Sequence, residues 1–164
     1  MDKLVTELLT LLREIAAGQE RLMKLALARR EAMRTFDASR MEQLTLQERS
    51  EITTMGMLDK RRQGLVMQFR NVLGKGVEPN VTEIARRVAE PAKTQLVALA
   101  AQIRDKAEHV ERHARINATI SEAVVKGLAK VLKVVTGLAQ HAGLYMRNGR
   151  KAAVHGIHLL EVTA

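Results

Sequence analysis

The sequence predicts an all-α protein, built as an elongated antiparallel helical bundle or coiled coil with one very long C-terminal helix. Aromatic residues make up only 2% of the chain, while Leu, Ala, Glu, Lys, Arg and Met are abundant, as is typical of long helices. Apolar residues recur every three or four positions over most of the chain. No proline follows Pro91, so a helix that begins there can continue without interruption.

The longest regular pattern lies between Leu96 and Leu138. Its members, spaced alternately by three and four residues, are Leu96, Leu99, Ile103, Lys106, Val110, His113, Asn117, Ile120, Val124, Gly127, Val131, Val134 and Leu138. A helix with such a heptad seam must be covered by other helices, either of this chain or of another. The polar members Lys106, His113 and Asn117 are expected to set the register or to contact a partner.

The chain divides into four predicted parts. Residues 1–73 form an N-terminal helical hairpin, 74–90 a loop and short helix, 91–145 the long helix and client-binding half, and 146–164 a C-terminal tail. Two helix-start signals overlap after residue 36, an Asp37 N-cap and a capping box from Ser39. They favour a hairpin over one long helix with a flaw near Asp37. Gly18 indicates either close approach of a neighbouring helix or a bend.

The clearest break in the chain lies between Gly74 and Pro79. It has neither the dinucleotide fingerprint nor the Walker spacing, so it is not predicted to bind phosphate. The stretch from Asn80 to Glu83 resembles a capping box and predicts a short helix that is ended or kinked at Pro91.

Composition limits the partners of the protein. The formal net charge of +9 favours association with nucleic acid, anionic lipid or an acidic protein, without choosing among them. The chain has no cysteine, so disulfides and thiolate metal sites are excluded. Charged residues near Met1 interrupt any apolar run that could form the core of a signal peptide. No apolar run is long enough to cross a bilayer. We therefore expect a cytoplasmic protein without a membrane span.

No pattern in the sequence predicts catalysis or metal binding. His109 and His113 lie four residues apart, but the residues between them do not match a zincin motif and no third ligand follows at helical spacing. A solvated or seam-filling histidine pair is the favoured interpretation. Serines lie outside any nucleophile elbow, and Glu108 and Glu111 are typical of a solvated helix face. The sequence thus predicts no enzyme activity, no catalytic residue and no cofactor.

Basic residues recur on one side of the long helix at Lys126, Lys130 and Lys133, with further clusters at residues 60–62 and 86–87. Such residues contact phosphates in nucleic-acid complexes. Neither an aromatic platform nor a helix-turn-helix or basic-zipper pattern accompanies them, so nucleic-acid binding is disfavoured. A basic coiled-coil protein that binds nucleic acid, or a scaffold whose seam is consumed by homo-oligomer formation, is the alternative function.

Two stretches resemble the FlgN-type flagellar export chaperones. Residues 29–49, with Arg30-Glu31-Ala32 followed by Asp37 and a Leu- and Glu-rich helix, resemble the N-terminal helical hairpin of that family. Residues 91–150 resemble its C-terminal half. The matching positions there are Leu96, Leu99, Ile103, Ile116, Asn117, Ile120 and Leu128, with Tyr145 and Gly149 similar to the Tyr-x-x-x-Gly ending of the family.

The resemblance implies a non-enzymatic cytoplasmic chaperone for flagellum biogenesis. It would bind the hook-associated proteins of the hook–filament junction and deliver them to the type III export gate. The resemblance also places client binding on the C-terminal region. Carried over to this sequence, the client-binding residues are Ile120, Val124, Leu128, Val131, Val135 and Leu138, with Tyr145 a candidate for contact with the client or the gate. The other interpretation of these apolar residues is packing against the first two helices.

Overall fold

The computed structural model of the protein describes the backbone of residues 1–74 and 77–142, and the side chains of those residues up to residue 137. This part of the chain forms four helices: α1 (Asp2–Arg34), α2 (Ala38–Leu73), α3 (Val81–Arg86) and α4 (Ala92–Ala142). The predicted all-α class and long C-terminal helix are confirmed. The chain divides into two units, Met1–Ile120 and Ser121–Ala164, and α4 has residues in both.

The turn between α1 and α2 is fixed by backbone hydrogen bonds and a cap. The N–H of Asp37 donates to the carbonyl of Ala32 at 2.9 Å, and that of Phe36 donates to Met33 at 3.3 Å, as in a Schellman motif. Phe36 adopts the left-handed conformation with φ 54°. The Asp37 carboxylate then accepts from the N–H of Arg40 at 2.9 Å and begins α2. Helices α1 and α2 are therefore separate elements joined by a turn, and α2 starts from Asp37, the first of the two predicted start signals.

Helices α1 and α2 pack against each other in antiparallel orientation. Three ion pairs join them: Arg29 with Glu48 at 2.7 Å, Arg21 with Glu51 at 2.8 Å, and Arg61 with Glu14 at 2.9 Å. Such surface pairs contribute little to stability, but they report the register of the helices. At Gly18 an added Cβ would collide with Met55 Sδ on α2. The glycine thus permits close approach of the two helices, one of its two predicted roles.

The apolar core of the first unit lies where the start of α1 meets the end of α2. Its buried members are Val5, Leu8, Leu9, Leu11 and Leu12 of α1, Leu65, Phe69 and Leu73 of α2, Ile84 and Ala85 of α3, and Leu96 of α4. All four helices contribute to this cluster. The burial of these side chains is therefore the main force that holds the start of α4 against the hairpin.

The connection from α2 to α4 follows the predicted caps. Gly74 ends α2 with φ 92°, a conformation that other residues rarely adopt. The side chain of Asn80 accepts from the N–H of Glu83 at 2.8 Å and begins α3, as predicted. Helix α3 ends at Arg86, and a cis Glu90–Pro91 bond precedes α4.

Helix α4 begins at Ala92, directly after Pro91, and is described to Ala142. Within the first unit it runs parallel to α1, because Gln95 meets Arg13 whereas Asn117 meets Arg30. The predicted helix end at Tyr145 and the predicted tail at residues 146–164 lie outside the described residues.

Candidate partner-binding face of the last helix

Within the first unit, α1 packs along the seam of α4. The first polar residue of this seam, Lys106, forms an ion pair with α1. The ammonium group of Lys106 donates to Glu20 Oε2 at 2.8 Å and to the carbonyl of Ala16 at 3.5 Å. Lys24 also lies 3.1 Å from the Glu20 carboxylate. These hydrogen bonds, first from Lys106 and then from Lys24, lower the pKa of Glu20 to about 2. The polar position Lys106 is therefore satisfied within the chain.

A second polar cluster, formed by Arg30, His113 and Asn117, joins the end of α1 to α4. Arg30 donates to Asn117 Oδ1 at 3.2 Å and contacts His113 Nδ1 at 2.9 Å. The amide of Asn117, which is buried, donates to the carbonyl of Ala26 at 2.7 Å. Burial, followed by the charges of Arg30, His109 and Arg112, lowers the pKa of His113. A neutral imidazole accepts the Arg30 hydrogen bond at Nδ1, whereas a protonated one cannot.

These two clusters fix the register of α4 against α1. The pairing of Lys106 with Glu20 and of Asn117 with Arg30 brings residue 120 level with Arg34, where α1 ends. Ile120 is half-buried at this point. The seam up to Ile120 is thus used by the chain itself, and its polar members specify one alignment of the two helices.

In the second unit, α4 exposes a row of apolar side chains that we call the C-terminal apolar face. Its members are Val124, Val125, Leu128, Val131, Leu132, Val134 and Val135. Val124 is half-buried, and more than half of the surface of each of the other six is exposed. Contiguous apolar surface of this kind is uncommon on soluble proteins unless it binds a partner.

The predicted client-binding residues fall into three groups. Leu128, Val131 and Val135 belong to the C-terminal apolar face and are exposed, and Val124 belongs to it and is half-buried. Ile120 lies in the first unit. The side chain of Leu138 and the whole of Tyr145 lie outside the described residues.

Sequence reasoning missed two members of the face and assigned a third only to the seam. Val125 and Leu132 are seven residues apart and lie beside the seam, and both are exposed. Their spacing was visible in the sequence, because residues seven apart lie on the same side of a helix. The heptad pattern places Val134 in the seam, but the family resemblance does not place it among the client-binding residues.

The opposite side of this part of α4 is basic. Lys126 pairs with Glu122 at 2.7 Å. Lys130 and Lys133 have no ion pair among the described residues. Residues 121–137 contain these three lysines and one glutamate, so this stretch of α4 carries a net positive charge on the side away from its apolar face, with Lys130 nearest to the face.

The described part of the chain contains no group of three His, Cys, Asp or Glu residues that could hold a metal ion. His113 contacts Arg30, and His109 Nε2 lies 3.7 Å from Asp105 Oδ1. None of the helices in the described ranges combines the length and the hydropathy needed to span a membrane.

A shallow depression of about 400 Å³ lies between α1 and α2, lined by Arg21, Lys24, Leu25, Gln47, Ser50 and Glu51. Arg21 is paired there with Glu51, and Lys24 with the Glu20 carboxylate, which also binds Lys106. Because its cations are already paired, the depression is a weaker candidate site than the C-terminal apolar face.

Comparison with known families identifies the chain. The family model described as FlgN protein matches residues 1–153. The chain belongs to the FlgN family. No curated protein and no solved structure matches it. FlgN is a family of flagellar export chaperones rather than of enzymes, and membership implies binding of flagellar proteins. The matched range of this FlgN chain includes both the hairpin and the C-terminal apolar face.

Proposed function

We propose that this FlgN-family chain is a cytoplasmic chaperone for the hook-associated proteins of the hook–filament junction. It binds an apolar helical segment of its client on the C-terminal apolar face and delivers the client to the type III export gate of the flagellum. The exchange of one helix contact for another requires no bond chemistry, so the protein acts without enzymatic activity or a cofactor.

The observation that carries this proposal is the change along α4 from a covered seam to an open one. Up to Asn117, polar side chains bind α1 carbonyls and carboxylates. Beyond residue 124 the face is apolar and exposed. An amphipathic client helix that lies along this face would bury the side chains of both helices, as in other helix-in-groove complexes.

The energy available from this face suits reversible binding. Full burial of one valine or leucine side chain contributes roughly 1.5–3 kcal/mol, and a dissociation constant of 1 μM corresponds to about −8 kcal/mol. Burial of the six exposed side chains must therefore be joined by burial of the client side chains that pack on them, and the sum, less the entropic costs of association, favours a complex in the micromolar range rather than a much tighter one. A complex of this strength can be released when the export gate competes for the client.

The experiment compares valines on and off the face. Val135 on the face and Val97 in the first unit are both in α4, and their exposed fractions are 55% and 53%. Binding of the full chain to a purified hook-associated protein is measured by isothermal titration calorimetry. We expect Val135→Ser and Val131→Ser to weaken binding by about tenfold each, because each removes an apolar side chain from the interface. Val97→Ser is the matched control and should change the dissociation constant by less than about twofold.

Two results would contradict the proposal. The first is an equal effect of the Val97 and Val135 substitutions, which would place the contact elsewhere. The second is the absence of binding by the unsubstituted chain at micromolar concentration. Circular dichroism of each variant checks that the helices are intact, so that a loss of binding is not a loss of fold.

A further inference from the structure

The width of the C-terminal apolar face is the starting observation. With 3.6 residues per turn, its side chains cover about half of the circumference of α4. Val131 and Val135 lie near its middle. Val134 lies at one edge, and Val125 and Leu132 lie at the other. The exposed fractions at the edges are 61% for Val134, 65% for Val125 and 62% for Leu132, so neither edge is covered by the described residues.

A single neighbouring helix does not need a face this wide. Two helices that pack as a coiled coil contact each other through a narrow seam of positions a and d. Leu128, Val131 and Val135 follow a second heptad register, offset from the seam of the sequence analysis. If they face one partner helix, Leu132 and Val134 lie on the two flanks of that contact. One docked helix would therefore cover the middle and leave at least one edge in water. The face is therefore wider than the a/d stripe that one coiled-coil partner covers.

The two edges differ in charge. Lys130 lies next to Val134 along the helix surface and has no ion pair among the described residues. Beside Leu132, at the other edge, lie the uncharged Ala129 and Thr136. A partner helix along the Val134 edge would bind more tightly if its carboxylates reached Lys130. Along the Leu132 edge, acidic residues on a partner helix would not add to the affinity.

We propose that the C-terminal apolar face accepts two helical segments of a partner protein side by side, and that the segment along the Val134 edge is acidic. This inference rests on the proposed function and specifies the form of the client. Gly127 lies on the same side of α4 as Val131 and Val134, and without a Cβ it leaves room for the backbone of a docked helix.

Other occupants of the face fit these observations less well. A second copy of the chain would offer Lys130 no carboxylate, because residues 123–137 contain no acidic residue. An anionic membrane would suit the lysines and the leucines, but residues 121–137 have no Trp or Phe to anchor them in a membrane interface, and membership of the FlgN family implies a protein client. A protein partner with one acidic helix satisfies both the charge and the width.

The test uses the full chain and the same purified hook-associated protein, with one substitution at each edge. We expect both Val134→Ser and Leu132→Ser to raise the dissociation constant by about tenfold, as Val135→Ser does in the middle. Since the edges contact different segments, the double variant should show the product of the two effects. Val97→Ser again serves as the control.

A second arm tests charge. Lys130→Gln should weaken binding and reduce its dependence on salt, because it removes one charge pair. Lys133→Gln, in the middle of the basic side, is the matched control and should leave the dissociation constant within about twofold. Equal effects of the two lysine substitutions would overturn the assignment of the acidic segment to the Val134 edge.

The inference and the proposed function fail in different ways. If Val135→Ser weakens binding while either edge substitution has no effect, a single helix docks and only the two-helix inference is wrong. If the unsubstituted chain does not bind the hook-associated protein, the proposed function fails and the inference fails with it.

Two further measurements identify another occupant. A dimer in light scattering that Leu132→Ser dissociates would assign the face to a second copy. Cosedimentation with vesicles of phosphatidylcholine and phosphatidylglycerol that Leu132→Ser abolishes would assign it to a membrane.

Discussion

At the scale of single residues, three polar side chains decide how α4 aligns with α1. Lys106 pairs with Glu20, while His113 and Asn117 meet Arg30. Each would be costly in an apolar seam without its partner, because buried polar groups lose their contacts with water. The same cost excludes alignments in which the partners do not meet. These residues therefore specify one register in a seam that is otherwise apolar and tolerant of sliding.

The buried amide of Asn117 gives the first prediction. Asn117→Ala removes the hydrogen bond to the Ala26 carbonyl and leaves Arg30 without one of its acceptors. We expect the free energy of unfolding to fall by about 1–3 kcal/mol. Thr119→Ala, at an exposed position of the same helix, should change it by about 0.5 kcal/mol or less. Urea denaturation followed by circular dichroism measures both. Equal effects of the two variants would show that Asn117 contributes no specific contact.

His113 gives a prediction about pH. Its pKa is lowered by burial and by the charges of Arg30, His109 and Arg112, so the unfolded chain binds the proton more readily than the folded chain. Above the ordinary histidine pKa of about 6.5 the imidazole is neutral in both states and the stability is complete. As the pH falls through that value, only the unfolded state gains the proton, and stability declines until the lower pKa of the folded state is passed.

The measurement is the urea midpoint of the wild type and of His113→Gln between neutral and mildly acidic pH. Glutamine can accept the Arg30 hydrogen bond but does not titrate. As the pH falls, the urea midpoint of the wild type should therefore decrease relative to that of the variant. If the urea midpoints of the two proteins changed with pH in parallel, protonation of His113 would not be disfavoured in the folded state.

At the scale of the elements, side-chain caps and a glycine set where the helices begin and end. Asp37 and Asn80 each accept a hydrogen bond from the N–H three residues later, and Gly74 provides the positive φ that ends α2. These signals act within four residues and do not depend on the rest of the chain. Helix α2 itself is less regular, since it contains two interior glycines and exposes several apolar side chains.

The two glycines inside α2 and the one that follows it give opposite predictions. Inside the helix the helix propensity of alanine decides the effect, and at Gly74 the positive φ decides it. Added Cβ atoms at Gly56 and Gly64 would meet no atom within 4 Å. Alanine at either position should raise the free energy of unfolding by up to about 1 kcal/mol, because alanine favours the helix. Gly74→Ala should instead lower it by about 1 kcal/mol or more, because φ is 92° there. Urea denaturation of the three variants tests both signs, and a destabilising Gly64→Ala would contradict the open space at that position.

Phe36 gives a prediction about the hairpin turn. It occupies the left-handed position of the Schellman motif, where glycine is usual, and its ring is exposed. Phe36→Gly should raise the free energy of unfolding by up to about 1 kcal/mol, since the gain in the folded turn exceeds the entropic cost of glycine in the unfolded chain. Phe36→Ala removes the ring but keeps the Cβ, so we expect no such gain. Thermal denaturation of both variants distinguishes strain from loss of the ring.

At the scale of the whole molecule, the sequence predicted what depends on local signals and on periodicity. The start of α2 followed from Asp37, that of α3 from Asn80, and that of α4 from Pro91. The sequence could not say which part of the α4 seam is covered, because that depends on the length of α1 and on the pairing of Lys106 with Glu20 across 86 positions. The full width of the face was missed for a related reason. The heptad pattern counts only the seam and omits Val125 and Leu132.

The division into two units gives a prediction about truncation. All side chains of the apolar core cluster, including Leu96 of α4, belong to the unit that ends at Ile120. A chain that ends at residue 120 should therefore keep a cooperative unfolding transition with a similar urea midpoint, while losing binding to the hook-associated protein. Binding retained by the truncated chain would contradict the proposed site. Loss of the cooperative transition would show that the first unit needs the rest of the chain.

The abundance of valine on the C-terminal apolar face affects the thermodynamics of binding. Five of its seven members are valines, and a valine in a helix is almost confined to one side-chain rotamer before any partner arrives. Ordering a flexible side chain at an interface costs about 0.5–1.5 kcal/mol, and these valines largely avoid that cost. The surface is thus preorganised. Replacement of the valines by methionines, which have similar hydrophobicity but three rotatable bonds, should make the binding entropy less favourable.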